Sequence, residues 1–278
     1  MERAIGVIDS GVGGLTVAGE LMRQLPNEQI IYVGDTARCP YGPRSKEEVL
    51  NFTCELVDFL LNQHIKMLVI ACNTATAFTL HHLQKKLPIP VVGVIQPGAR
   101  AAIKYTENNY ISVIATEGTA KSGAYAKAIK NINPDIHVNT LACPSFVEMI
   151  EQGFLSGNKV KKIVENTLEP IKQGTQMDTL ILGCTHYPLI KHVIQSVVGE
   201  HVELISSSEE TARETSTVLD VHQLLNNRGM LPVHQFYTTG ELETFKTLSC
   251  RIFQKDILKS VRMEKVNLNN THISKLAL

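Results

Sequence analysis

Thr179-Leu180-Ile181-Leu182-Gly183-Cys184-Thr185-His186-Tyr187-Pro188 is a short apolar run that ends in a cysteine and then in polar residues. Far earlier the chain reads Met67-Leu68-Val69-Ile70-Ala71-Cys72-Asn73-Thr74, the same device. Each run is brief, β-branched and bounded by small or polar residues, which suits a buried strand of a parallel sheet. A helical pattern follows each one. Both cysteines therefore fall at the carboxyl end of a strand, where open α/β sheets bind ligands. A thiol there, facing the amino end of the next helix, is placed to act as a base or nucleophile. Two such thiols point to chemistry performed from two sides.

Strand and helix patterns alternate along the whole chain. Strands are predicted at 4–8, 29–34, 67–71, 91–94, 110–115, 137–141, 179–183, 202–205 and 235–239. Amphipathic helices are predicted at 45–62, 74–86, 119–131, 159–172, 189–197 and 209–226. Within the first of these, Val49, Leu50, Cys54, Val57, Leu60 and Leu61 recur at three- and four-residue intervals, as a helix packed on a sheet requires. The expected fold is α/β, with two three-layer α/β/α lobes, mainly parallel sheets and an active site in the cleft between them. Gln96-Pro97-Gly98 reads as a hinge and Ser206-Ser207-Ser208 as a second break. The expected division is 1–96 plus 207–278, carrying Cys72, against 97–206, carrying Cys184.

Composition limits the function classes. The 278 residues are 44% hydrophobic and 19% charged, with 27 acidic and 27 basic side chains. A net charge of zero argues against nucleic acid as a partner, because phosphate binding needs a clustered basic surface. No apolar stretch approaches the roughly 20 residues needed to cross a bilayer. The first strand begins almost at once and leaves no room for a signal peptide, so a cytoplasmic location is expected. The six cysteines (39, 54, 72, 143, 184 and 250) show no Cys-x-x-Cys spacing. Neither a zinc knuckle nor a redox pair is indicated, and free thiols are expected. His81-His82 lies on a helix, where neighbours point apart, so no metal site is expected there.

Several further stretches mark loops at strand ends. Asp9-Ser10-Gly11-Val12-Gly13-Gly14 opens a helix, its glycines permitting positive φ and its amides an anion. Its spacing is not the dinucleotide pattern, which leaves a structural turn or a small polar ligand beside Asp9 and Ser10. The loop 34–44, with Cys39-Pro40-Tyr41-Gly42-Pro43-Arg44, reads as a stiff surface turn or a ligand wall. Cys39 lacks an obvious base and reads as structural. Thr116 and Thr119 fit helix caps or hydroxyl donors to a carboxylate. Cys143 reads as structural, and an acidic residue on the following helix, Glu148 or Glu151, can orient a histidine across the cleft. His186 is either a surface group or a partner tuning the Cys184 thiol.

Ile8-Asp9-Ser10-Gly11-Val12-Gly13-Gly14-Leu15-Thr16-Val17, Cys39-Pro40-Tyr41-Gly42-Pro43-Arg44, Ala71-Cys72-Asn73-Thr74-Ala75 and Gly183-Cys184-Thr185-His186-Tyr187-Pro188 together resemble the bacterial glutamate racemases. Gly93-Val94-Ile95-Gln96-Pro97-Gly98-Ala99-Arg100 and Glu210-Thr211-Ala212-Arg213-Glu214 extend the resemblance, which covers roughly 4–240. It implies a cofactor-independent proton transfer interconverting L- and D-glutamate, supplying D-glutamate for peptidoglycan. By the same resemblance Cys184 takes the proton from L-glutamate and Cys72 from D-glutamate. Asp9 assists Cys72, His186 assists Cys184, and Glu151 supports the histidine. Ser10, Tyr41, Gly42, Asn73, Thr74, Thr116, Thr119 and Thr185, with Asp9 and His186, hold the substrate. A homodimer is implied. The chain departs from the pattern at Glu148, where proline is common, and past Phe253, where it lacks a tryptophan and carries a polar stretch at 267–271.

Other classes remain open on the residues alone. A related enzyme acting on aspartate fits the two cysteine motifs. A pyridoxal-phosphate racemase fits poorly, since no lysine sits in a Schiff-base context. A non-catalytic two-lobe binding protein would use the cysteines only for packing.

Overall fold

The computed structural model describes residues 3–173, 176–227, 229, 231–253 and 255–268. The chain begins β1 (Ile5–Asp9), α1 (Leu15–Gln24), β2 (Ile30–Gly34), α2 (Lys46–Asn62), β3 (Met67–Ile70), α3 (Asn73–Lys86), β4 (Val91–Gly93) and α4 (Ile95–Tyr105). It continues through β5 (Tyr110–Ala115), α5 (Glu117–Ser122), α6 (Ala124–Lys130), β6 (His137–Ala142), α7 (Pro144–Glu151) and α8 (Asn158–Lys172). Next come β7 (Thr179–Gly183), a 3-10 turn (Tyr187–Ile190), α9 (Lys191–Val198) and β8 (Glu203–Ser206). The last elements are α10 (Ser207–Val221), β9 (His234–Thr238), α11 (Leu242–Ile252), α12 (Lys255–Leu258) and β10 (Val261–Lys265).

Two sheets result, one in the order β10-β9-β2-β1-β3-β4 and one in the order β6-β5-β7-β8. Their strand pairings are parallel. Alternation along the central strands sends side chains into two cores per sheet. Ile5 and Val7 of β1 pack with α1 and α10 residues such as Leu21 and Leu219, whereas Ile8 joins Val57 and Leu60 of α2. In the other sheet Leu180 and Leu182 of β7 pack with Val164 and Ile194, and Ile181 packs with Ala99 and Ile129. Both sheets are thus covered by helices on both faces, which explains the continuous apolar strand runs. At Ser45 a capping box with Glu48 fixes the start of α2.

Four expectations change. Gln96-Pro97-Gly98 does not interrupt the regular structure: it lies in the first turn of α4, with Pro97 and Gly98 buried. Proline is tolerated there because its missing N–H would have no intrahelical partner. The helix expected at 119–131 is broken at Gly123, whose φ of 63° ends α5 and starts α6. Gly11, Gly13 and Gly14 are absent from the positive-φ residues, so their role is steric, as shown below. Strand β10 was not foreseen, because Val261-Arg262-Met263-Glu264-Lys265 carries the charges of a sheet edge. Of the polar stretch 267–271, residues 269–271 lie outside the described residues.

The chain also carries a buried ion pair. Lys66 Nζ sits 2.6 Å from Glu28 Oε2. It also donates to the Leu224 carbonyl, while Glu28 Oε1 accepts from the Asn226 amide. The pair ties the start of β3 to the connection between α10 and β9.

Candidate active site

The carboxyl ends of β1 and β3 present Asp9, Ser10 and Cys72, and those of β5 and β7 present Thr116 and Cys184. Residues from both sheets line one enclosed cavity: Ser10, Tyr41, Gly42, Cys72, Asn73, Thr74, Thr116, Cys184, Thr185 and His186, with Pro40 and Val147. Its free volume is about 10 Å³, no more than a single water requires. An outer cleft of about 520 Å³ adjoins it, sharing Pro40, Gly42, Thr116 and Val147 and continuing past Cys39, Glu148 and Glu151.

Cys72 is the N-cap of α3, where its sulfur accepts the Ala75 amide at 3.4 Å and lies 3.6 Å from Ser10 Oγ. Burial pushes its thiol up to about 12, and the nearby Asp9 carboxylate adds to the push. Cys72 accordingly stands as a thiol at neutral pH. Cys184 faces it from the second sheet, with its sulfur 3.7 Å from His186 Nδ1.

The other ring nitrogen of His186, Nε2, meets Glu151 Oε1 at 2.6 Å. Burial opposes charge on the imidazole, yet its hydrogen bonds to Cys184 and Glu151 hold it well above the ordinary histidine range. Burial likewise opposes charge on Glu151, but the histidine holds its carboxyl below the usual value. The two form an ion pair whose cation adjoins Cys184. Asp9 is raised by burial, against the pull of His186 and hydrogen bonds from the Gly11 and Gly14 amides. The Gly11 and Gly14 amides before α1 thus serve Asp9 itself.

Close approach explains the glycines of this loop. A Cβ on Gly13 would lie 2.5 Å from both His186 Nδ1 and Thr185 Oγ1, and one on Gly14 would lie 2.4 Å from the Asp9 Cβ. At Gly13 only hydrogen lets the first sheet's loop meet the second sheet's Cys184 segment, and at Gly14 only hydrogen leaves room for the Asp9 side chain.

The polar wall is built across the two sheets. Thr185 donates to Asp9 Oδ1 at 3.3 Å. Thr74 Oγ1 is 2.8 Å from Thr116 Oγ1 and 3.2 Å from Thr119 Oγ1. Thr116 also caps α5, its side chain accepting the Thr119 amide. The Gly42 carbonyl accepts the Gly118 amide. Tyr125 donates to Asn73 Oδ1 at 2.7 Å, while the buried Asn73 Nδ2 has no partner among the described residues. An unsatisfied buried donor at a cavity wall is a ready site for a ligand carboxylate. The Tyr41 hydroxyl is already committed to Asp35.

Two residues escaped the sequence reading. Cys39 stands 3.7 Å from Glu151 Oε1, at the boundary of the two cavities, although its sequence context offered no base. Tyr125 orients Asn73 from a helix whose sequence gave no hint of it. Cys143, by contrast, is buried in a core and structural as expected. Glu148 is exposed on the outer cleft.

A two-lobe α/β architecture with a cysteine from each sheet on one cavity defines a class within which the chain can be placed. The chain belongs to the Asp/Glu/Hydantoin racemase family, whose family model matches residues 5–215. It is 62% identical to the glutamate racemase of Oceanobacillus iheyensis, over 98% of this chain and 100% of that one. Its fold is similar to that of glutamate racemase isoform RacE1 from Bacillus anthracis, with a TM-score of 0.91 and 47% identity over 96% and 98% of the two chains. It is also similar to the glutamate racemase of Francisella tularensis, solved in complex with D-glutamate, with a TM-score of 0.88, 38% identity and the same coverage.

Proposed function

We propose that this protein interconverts L- and D-glutamate by a two-thiol proton transfer without a cofactor. The observation that carries the reading is that Cys72 and Cys184, one from each sheet, line the same cavity. A carbon held between them loses its α-proton to one sulfur and receives a proton from the other on the opposite face. Taking L-glutamate, the Cys184 thiolate accepts the α-proton and the C–H electron pair stays on carbon as a carbanion. The Cys72 thiol then gives its proton to that carbanion, leaving Cys72 as thiolate and Cys184 as thiol. The reverse reaction exchanges the roles.

In this reading the imidazolium of His186 offers a counter-charge beside Cys184, and Glu151 positions it. Asp9 assists Cys72. Asn73, Thr74, Thr116, Thr119 and Thr185 hold the carboxylates and amino group with Ser10, while Tyr41 and Gly42 contribute backbone at the cavity wall. Preorganised donors and exclusion of water are what a weakly acidic α-proton requires.

The same reading assigns 1–96 plus 207–278 to the lobe of Cys72 and 97–206 to that of Cys184, a division supported by the membership of the two sheets. The chain works as a homodimer in the cytoplasm, making D-glutamate for peptidoglycan. Among the described residues no helix is long and apolar enough to cross a membrane.

The test is incubation of each glutamate enantiomer with enzyme in deuterated water, followed by proton NMR and polarimetry. Loss of optical rotation with deuterium entering the α position is expected. Racemisation of aspartate but not glutamate would overturn the substrate assignment, and racemisation that retains the α-hydrogen would overturn the two-thiol mechanism.

A further inference from the structure

Cys39 Sγ, Glu151 Oε1 and His186 Nε2 come from three separate segments, namely the loop after β2, the end of α7 and the turn after β7. All three atoms lie within 4.8 Å of one another. We propose that they form a binding site for a soft divalent cation of the zinc class, and that filling this site silences the enzyme by capturing His186. The silencing rests on the racemase reading above, whereas the binding does not.

The donor set carries the choice of ion. One sulfur, one imidazole nitrogen and one carboxylate oxygen suit zinc and its neighbours, while magnesium and calcium prefer oxygen alone. Zinc bonds of about 2.0–2.3 Å hold tetrahedral donors about 3.5 Å apart. Cys39 and Glu151 already stand 3.7 Å apart. Glu151 and His186, at 2.6 Å, are now joined by a proton, and the ion would replace that proton and widen the pair slightly.

Room exists for it. A Cβ on Gly11 would lie 2.8 Å from Glu151 Oε1 and 2.9 Å from Cys39 Sγ, so a glycine there keeps the space between two of the donors open. Cys39 and Glu151 also line the outer cleft, which gives an entry route and a fourth coordination position for water. Burial raises the Cys39 thiol, so the ion itself must drive off its proton, as coordinated metals do. Binding releases two protons, one from the thiol and one from between Nε2 and Glu151. It leaves His186 with Nδ1 facing Cys184 but with Nε2 held by metal, unable to be the imidazolium of the reaction.

The experiment uses the whole chain, freed of metal with a chelator, and two probes. Co²⁺ is added and followed by the thiolate-to-cobalt charge-transfer absorption. Zn²⁺ is titrated into a glutamate racemisation assay. The expected result is a thiolate band with Co²⁺ and chelator-reversible inhibition by Zn²⁺. Cys39→Ser should keep metal-free activity, lose the band and need at least about tenfold more Zn²⁺ for the same inhibition, as loss of a ligand implies. Inhibition or a band that persists unchanged in Cys39→Ser places the ion on another thiol and overturns the proposal, as does wild-type protein showing neither. A band without inhibition overturns the silencing. Metal-free wild-type protein inactive on both enantiomers would instead defeat the racemase reading, and the cobalt spectrum would still report on the site.

Discussion

Glu151 and His186 meet at 2.6 Å across the boundary between the outer cleft and the inner cavity, and the far side of the same imidazole faces Cys184 at 3.7 Å. The carboxylate fixes both the orientation and the charge of the ring. Glu151→Gln keeps the shape and removes the charge. Its expected effect is a fall in kcat/KM of about 10²-fold or more, the scale of a positioned proton-transfer group. Enantiomers have equal free energies, so kcat/KM must fall by the same factor from either side. The individual kcat values for L- and D-glutamate are free to diverge, and steady-state polarimetry from both enantiomers checks this.

Replacing either sulfur removes one of two partners that act together. Cys72→Ser and Cys184→Ser should each lower racemisation by more than about 10³-fold, since a serine hydroxyl is a far weaker acid than a thiol and its alkoxide is scarcely populated at neutral pH. The wild-type thermal midpoint should be kept within a few degrees, because both side chains border a cavity. Full activity in either variant would sink the two-thiol assignment.

The threonine cluster predicts a binding defect. Thr74→Val strips one hydroxyl from the Thr74, Thr116 and Thr119 group while preserving volume. Losing such a bond to a charged carboxylate costs about 1.5–3 kcal/mol, roughly 10- to 150-fold in affinity. The loss should appear mainly in KM and in calorimetric binding of D-glutamate.

Gly13→Ala separates steric from conformational roles. Its Cβ would sit 2.5 Å from His186 and Thr185 atoms, and Gly13 is not among the positive-φ residues. Activity should therefore drop by at least about tenfold, the scale of misplacing a catalytic group. Far-ultraviolet circular dichroism should remain that of the parent.

His234 predicts a pH limit on stability. Its Nδ1 accepts the Ile30 amide at 3.1 Å, and burial lowers its pKa to about 4. The unfolded chain binds this proton at the ordinary histidine value of about 6.5 and the folded chain only near 4, so acid favours unfolding. Stability contributed here is intact above about 6.5 and is lost progressively as pH falls toward 4. His234→Asn should flatten that part of the profile, measured as urea midpoint against pH.

The sequence disclosed the strands because β-branched runs and their bounding glycines are local signals, and the two cysteine segments because each joins such a run to a helix. Glu151 could be paired with a histidine only as a possibility, since their contact spans 35 positions. Cys39 and Tyr125 gain their places entirely from tertiary packing: neither motif spacing nor periodicity brings Cys39 to Glu151 or Tyr125 to Asn73. Proline and glycine at 97 and 98 misled for a related reason, since the same residues that break a helix interior are welcome in its first turn. The charges of β10 hid an edge strand paired with β9, because alternating charges read as a solvated surface segment.

The bonds from Thr74 to Thr116, Gly42 to Gly118 and Thr185 to Asp9 act as latches over a chamber that has no vacancy for an amino acid while they are fastened. On the racemase reading, substrate enters only when the two sheets' loops part, and the chamber that holds it is wider than the one seen here. Solution viscosity, which slows the parting of large segments but not the hop of a proton, should then govern how fast the finished enantiomer escapes.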